Sequence, residues 1–461
     1  MKNKLFISIY CGLMILLASC NNYLDVKPKG KIIPETAEDF STIIHYWLDQ
    51  IEKGRDDVII PNPEVMTTLE MFADDLNATL ASNFGYTSIY VGSAINKNQA
   101  TYKTLYSVIK DCNMVIGNMD DTESDLARTL LGTAWSIRSI CYYNLMQRYC
   151  EPYQPETAKE TLGLPLVDDF DMEAKPARAN LKETAEFIEE GFRKALSYNV
   201  SNEDFIFTSS VTKAYFARFF FWTQNWSNAI TYAKEVLEKY PMLEADEYVE
   251  AINQKQAKAH NVIIRSFTMD DDIGTMSYAT AQADIKSRPV DRNLVDLFAA
   301  TDNDVRRRCN YDSKRIVNKI ITTKFRSEEL CLIIAEAHAH LNQETDALGY
   351  LNQLRSKRIT QNYIAYTIDN LPEVFQQNIK TDATGIPLTK LMSAILCERR
   401  KELFVEGDRW FELKRNGRPE FWVAAKGKKF ITEKYLYTFP IPKAGIRLFP
   451  DLLIQNPGYI E

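Results

Sequence analysis

Histidine is scarce in this chain, with four in 461 residues. His338 and His340 are two apart in a helical segment, so they point to different faces and make a poor metal pair. His45 and His260 are isolated. Also missing are a Gly-x-Ser-x-Gly elbow, a phosphate loop, a Gly-x-Gly-x-x-Gly fingerprint and a His-Glu-x-x-His helix. No motif therefore points to a serine hydrolase, a nucleotide enzyme, a dinucleotide enzyme or a zinc peptidase. Asp270-Asp271-Asp272 with Gly274 offers oxygen ligands for calcium. It lacks the alternating ligands and closing Glu of an EF-hand loop, so it reads as a solvated acidic turn, and no cofactor is expected. There is no basic block, and the formal charge is −7. That argues against nucleic acid, whose phosphates must be neutralised by clustered Lys and Arg, and against charge-driven binding to an anionic membrane. Outside the first residues no apolar run reaches the ~18 residues of a spanning helix.

What is present begins with the leader. Lys2 and Lys4 precede the apolar run Leu5–Ala18, and Leu17-Ala18-Ser19-Cys20 follows. A basic start, a short apolar stretch and small residues before a cut site make an export signal. Leu-Ala-Ser-Cys resembles the lipobox of bacterial lipoproteins, in which the signal is cut before the cysteine and that cysteine is acylated. Residues 1–19 are thus expected to leave as a signal peptide, with Cys20 as lipid anchor and 20–461 as one helical domain with loop insertions. Several acyl chains on one residue anchor stably where one chain is marginal. Of the other cysteines, Cys11 leaves with the signal. Cys112, Cys141, Cys150, Cys309, Cys331 and Cys397 remain, and most are expected as small buried apolar residues rather than a disulfide framework. Cys141 and Cys150, for example, lie about 13 Å apart along a continuous helix, too far to bridge.

Composition is that of a globular protein, 45% hydrophobic and 25% charged, and the length exceeds a usual single core. Two domains or a layered helical array are the solutions. Helical spacing dominates. Leu105, Ile109, Cys112 and Ile116 recur over Tyr102–Met119; Leu131, Trp135, Ile140, Tyr142 and Leu145 recur over Arg128–Tyr149. Over Lys213–Pro241, small Ala214 precedes a turn at Gln224-Asn225-Trp226 and a second helix lined by Ala229, Ala233 and Leu237. Over Glu329–Arg358, Ala335 and Ala337 precede Leu341-Asn342-Gln343 and then Ala347, Leu351 and Leu354. Small residues at a crossing, a short turn and a second apolar helix form the tetratricopeptide pattern.

Between the helix pairs lie polar insertions with aromatics: Asp74–Thr101, Ser266–Asp291 and Tyr363–Pro387. Long loops on a rigid scaffold are where binding sites usually sit. Sugar C–H faces stack on rings and hydroxyls pair with polar side chains, so Asn77, Asn83, Tyr86 and Tyr90 in the first loop, and Tyr278 and Arg288 in the second, are candidate ligand residues. Over Val423–Pro442, Tyr435, Tyr437 and Phe439 alternate and read as a small hairpin or edge strand.

The densest signal is Glu398-Arg399-Arg400-Lys401-Glu402-Leu403-Phe404-Val405-Glu406-Gly407-Asp408-Arg409-Trp410-Phe411-Glu412-Leu413-Lys414-Arg415. Gly407 fits a helix C-cap and Asp408 the next N-cap. Charges beside bulky apolar residues suggest a partly buried ion-pair network, with Glu398, Arg399, Glu402, Glu406 and Arg409 structural. Every carboxylate has Arg or Lys within helical reach, which disfavours an acid/base pair or a metal site. This run resembles the E-R-x-x-E-L-x-x-E-G-x-R-W signature of the SusD/RagB family of outer-membrane nutrient-binding lipoproteins. Tyr23-Leu24-Asp25 with Pro28, Asp111-Cys112-Asn113, Ala134 to Tyr149 (with Arg138, Tyr142, Leu145 and Tyr149) followed by Gly163-Leu164-Pro165-Leu166-Val167, Phe439-Pro440-Ile441-Pro442 and Gln455-Asn456-Pro457-Gly458-Tyr459 match further family motifs in order.

The resemblance implies an all-α fold of four tetratricopeptide-like helix pairs with long inserted loops. It also implies a lid role over a SusC-like, TonB-dependent transporter, a place at the outer membrane and cell surface, and an oligosaccharide or a peptide as ligand. A helical glycosidase is the enzymatic alternative; it needs two carboxylates at catalytic separation in a cleft. For the anchor, Cys20→Ala is expected to leave the protein unlipidated and out of the outer-membrane fraction in cells lacking its transporter partner. Retention in that fraction refutes the anchor.

Overall fold

The computed structural model describes residues 34–53, 59–81, 100–169, 171, 175–254, 259–266, 273–299, 303–321, 323–425 and 428–459. Cys20 and the leader lie outside the described residues. Among those described, sixteen α-helices and three two-stranded sheets are present, as the helical periodicity predicts.

Helix α1 (Ala37–Glu52) is set by a capping box at Thr36 and packs on α4. Helix α2 is Pro63–Phe72. The central pair is α3 (Ala100–Asn118) and α4 (Asp125–Tyr149). Nearly all of α4 is buried, because α3, α1 and α5 (Leu181–Ser197) surround it. Of its three arginines, Arg138 lies over the rings of Trp135 and Phe187 at 4.5 and 4.8 Å. The loop after α4 is held from both sides. Asn113 donates to the carbonyls of Val167 and Asp169 (both 3.0 Å), and Tyr142 Oη accepts from Val167 N (2.8 Å). Strands β1 (Leu162–Pro165) and β2 (Arg178–Asn180) pair there. A Cβ on Gly163 would stand 2.2 Å from Thr184 Oγ1, so no other residue fits that crossing.

The two tetratricopeptide-like units form where the sequence pattern puts them. Helices α6 (Ser209–Trp222) and α7 (Trp226–Lys239) cross at fully buried Ala214, Ala217, Ala229 and Ala233. Gln224 turns the chain with φ 60°, steadied by its amide on Tyr153, Gln154 and Ala383. Beyond α8 (Ala245–Ile252), strand β3 (Val262–Arg265), α9 (Ile273–Lys286), α10 (Arg292–Asp296), α11 (Val305–Asn310) and β4 (Lys324–Arg326), the second unit pairs α12 (Ser327–His340) with α13 (Glu344–Ser356). Helix α12 also packs on α7 and on α14 (Lys390–Glu402), so it joins the two units. Five of the six cysteines are buried and the sixth half-buried; all six are free thiols.

The signature occupies α14, a tight corner and α15 (Arg409–Arg415). The caps differ from expectation. Helix α14 already ends at Leu403, Val405 and Gly407 take φ 58° and 80° within the corner, and Asp408 makes no cap hydrogen bond. Its carboxylate is instead held by Arg399, at 2.9 Å from Nε and 2.5 Å from Nη2.

The ion-pair network expected there is buried rather than partly exposed. Glu402 accepts from Arg326 (2.9 Å) and from Arg358 (3.0 and 3.1 Å), with Arg306 at 3.4 Å. Glu406 accepts from Arg326 and pairs with Lys319 at 2.7 Å. Glu398 accepts from Arg306 at 2.6 Å. Arg409 grips Asp74 with two bonds and Glu412 with a third, while Arg400 takes Asp75 at 2.6 Å. Burial alone would raise the Glu402 carboxyl, but Arg358, Arg326 and Arg306 outweigh it and hold it well below the usual range. Glu406 is likewise raised by burial and lowered more by Arg326, Lys319 and Lys324, to about 2.

Removing one partner of such a buried pair leaves an uncompensated charge and costs about 3–5 kcal/mol. Arg399→Ala is therefore expected to lower the melting temperature clearly, with ligand affinity of the folded fraction unchanged; a normal melt with lost binding would place Arg399 in the ligand site. The pH dependence has a fixed sign. The Glu406 carboxyl is depressed from 4.5 to about 2 in the fold, so its stabilisation is present above about 4.5 and lost as pH falls towards 2. Glu406→Gln is expected to flatten that acid limb in a series of thermal melts.

Candidate functional site

Asn77 stands at the root of the first insertion. Its side chain accepts from Leu80 N and donates to Asp291 Oδ2, both at 3.1 Å, and its own N–H donates to Pro289 O at 2.8 Å. Leu76 bridges Val290 beside it. The insertion thus leaves the body at a seam against residues 289–291, with Asn77 as the cap of a single 3-10 turn, Ala78–Leu80. Asn83, Tyr86 and Tyr90 fall outside the described residues, as does the Asp270-Asp271-Asp272 run. Among the described residues no group of three or more His, Cys, Asp or Glu is placed to hold a metal ion.

The second insertion is not a loop. Helix α9 fills most of it and packs on α2. Tyr278 is 8% exposed, with Oη donating to Gln282 at 3.2 Å. Ala281 and Ile285 continue the same stripe into a core with Met66, Val290 and Leu294. That spacing of three and four is a helical face, overlooked in the sequence because Ser277, Thr280, Gln282 and Asp284 surround it. Arg288 is buried and donates to Met71 O at 3.0 Å, tying the end of α9 to the end of α2. Neither Tyr278 nor Arg288 is a loop-tip residue. The third insertion, by contrast, is irregular apart from the 3-10 turn Ile368–Asn370.

The hairpin near the end of the chain differs from expectation in register, and the difference matters. Its strands are β5 (Phe421–Ala425) and β6 (Lys428–Thr432). Tyr437 and Phe439 follow it and turn inward. Tyr437 stacks on Trp410 at 4.5 Å and donates to Pro419 O, and Phe439 packs on Tyr149. In the hairpin itself, Val423 and Phe430 pack against Ala78, the first residue of the turn that Asn77 caps. The opposite face carries Trp422 opposite Ile431, 60% and 46% exposed. Lys429 Nζ lies 5.0 Å from the Trp422 ring centroid. Sequence reasoning missed Trp422; the signal was there in Phe421-Trp422-Val423 and Phe430-Ile431-Thr432 flanking Lys426-Gly427.

A cleft of about 130 Å³ opens between α4, α6 and the signature corner, lined by Tyr143, Tyr215, Arg218, Trp222, Arg399 and Asp408 among others. Its acids are engaged: Glu329 by Arg218, Asp408 by Arg399 and Glu412 by Arg409. Burial pushes Glu412 up to about 7, with Arg409 opposing. These are the pairings of a helix corner.

Ion pairs, the Asn113 loop clamp and the inward-turned Phe439 make the motifs of this chain a scaffold, and scaffolds are what comparison detects best. Solved structures share the fold. A SusD superfamily protein from Bacteroides vulgatus ATCC 8482 aligns over 93% of this chain and 100% of its own, with TM-score 0.71 and 17% identity. One from Bacteroides thetaiotaomicron VPI-5482 aligns over 92% and 100%, with TM-score 0.70 and 18% identity. A laminarin-binding SusD-like protein aligns over 92% and 99%, with TM-score 0.59 and 16% identity. None of the curated proteins matches. Residues 309–459, which include the signature, match the sequence model of the SusD family. Residues 22–221 match a SusD-like family described as starch-binding and associating with the outer membrane. The two matches lie on either side of residues 222–308, the second holding the buried signature corner, and the chain belongs to the SusD/RagB family.

Proposed function

We propose that this chain is a non-catalytic, lipid-anchored protein of the cell surface that captures a glycan and delivers it to a SusC-like, TonB-dependent transporter. The carrying observation is the exposed Trp422 ring on a hairpin seated against the root of the Asp74–Thr101 insertion. A flat ring at the root of an insertion whose sequence carries Asn83, Tyr86 and Tyr90 supports the two things sugar recognition needs: a stacking face and polar side chains for hydroxyls. The starch-binding description of the family matched by residues 22–221 supports a glycan over a peptide. Outer-membrane association of that family supports the location, and Cys20 after the apolar run supports the anchor. The carboxylates of the cleft, all arginine-bound, support a carrier rather than a glycosidase.

Binding of the full chain in detergent to a panel of neutral and acidic polysaccharides and of peptides tests the reading. At least one glycan is expected to bind; peptide binding without glycan binding overturns it. Stacking contributes about 1–3 kcal/mol per ring by analogy with base stacking, so Tyr86→Ala or Tyr90→Ala is expected to weaken glycan binding roughly tenfold with an unchanged melt. A lowered melting temperature would instead make those rings core residues. Co-purification with a TonB-dependent transporter from native membranes tests delivery, and its loss on solubilised, transporter-free preparations is the control.

A further inference from the structure

The outer face of the hairpin sets a cation, Lys429, beside an exposed indole. The chain as a whole is acidic, at −7. Lys429, on strand β6, is the described cation of this face, while the acids Glu420 and Glu433 flank the hairpin's root. The pairing register sorts the strand residues by face. Trp422 faces Ile431 across the pair and Ala424 faces Lys429, so these four share the outer face. Val423 and Phe430 take the inner face against Ala78. Ala424 is small, which leaves a flat shelf beside the indole. Across that shelf Lys429 reaches diagonally to the ring, with Nζ 5.0 Å from its centroid.

We propose that this face selects acidic sugars, those bearing a carboxylate or a sulfate. The proposal rests on the glycan-binding reading and narrows its substrate class. A cation over an exposed ring is weakly held. An acidic sugar whose apolar face settles on Trp422 brings an anion to Lys429, so the ammonium exchanges the ring for a full counter-charge and the indole face is freed for stacking. A neutral sugar must displace Lys429 from the ring and offers its ammonium only hydroxyls. Charge complementarity points the same way. A polyanion is repelled by the net negative surface and attracted at the hairpin, so binding is confined to the place where the ring is. An anionic membrane offers the same charge, but Trp422 and Ile431 are the two large apolar side chains of this face, too little area for stable insertion.

The test uses the full chain in detergent with polygalacturonate and sulfated dextran as acidic probes and unmodified dextran and pullulan as neutral ones. The acidic probes are expected to bind at least tenfold tighter than the neutral ones, and to weaken as salt rises from about 50 to about 500 mM. Trp422→Ala is expected to lose most binding to both classes. Lys429→Gln is expected to lose the acidic preference, with acidic binding weakened and neutral binding equal or tighter because the ring no longer holds an ammonium, and Lys429→Arg to keep the preference. Both positions are exposed, and if Trp422→Ala fails to fold, the Lys429 pair carries the test. Equal or tighter binding of the neutral glycans overturns this proposal and leaves the glycan reading standing. Acidic binding that is indifferent to Trp422→Ala and Lys429→Gln overturns it as well. Binding to phosphatidylglycerol vesicles that is lost in Trp422→Ala, with polygalacturonate binding unaffected, makes the face a membrane contact instead. Failure of every glycan sinks both readings together.

Discussion

One carboxylate, that of Glu402, organises the signature corner. It is fully buried and reached by Arg306, Arg326 and Arg358, which come from α11, from β4 and from the end of α13. A charge in that position is costly unless its partners are in place, and three guanidiniums buried without it would cost more. The arrangement fixes geometry through mutual necessity: none of the four groups is tolerable where it sits unless the other elements arrive. Glu406 and Glu398 extend the same logic through Arg326 and Arg306. Asp74 and Asp75, through Arg409 and Arg400, bring in the root of the first insertion. The first insertion is thus mounted directly on this buried corner.

This division explains what was legible in the sequence. The helix pairs were legible because Ala214, Ala229, Ala335 and Ala347 mark helix crossings whose period no tertiary contact disguises. The network was legible as a run of charges beside Leu403 and Trp410, but not its partners. Arg306, Arg326, Arg358 and Asp74 are distant in the chain, and nothing local says which guanidinium meets which carboxylate. Tyr278 was misplaced for a different reason. A short amphipathic helix with a polar majority reads as a loop until its narrow apolar stripe is given a surface to cover. Asp408 looked like a cap by residue type, yet the charge of Arg399 is a stronger partner than a backbone N–H.

The hairpin shows the limit from the other side. The strand signal around Trp422 marks a hairpin, but it does not say which face of that hairpin is left exposed. Its face was fixed only once Val423 and Phe430 found Ala78. Core residues announce themselves through spacing, whereas a surface ring is identified by what remains after the core has been assigned.

The staple formed by Asn456 has a consequence for how this protein comes into being. Its amide nitrogen donates to Tyr149 O at 2.8 Å and to Phe439 O at 2.7 Å, across 307 positions in the first case. Gln455 closes both backbone groups of Ile441, and Arg178 donates to Asn456 across 278 positions. The central helix α4 is therefore finished by residues synthesised long after it. Contacts of such high sequence separation slow folding, because loop closure must precede the contacts that reward it. The fold therefore closes around the middle of the chain only when its last motif is in place.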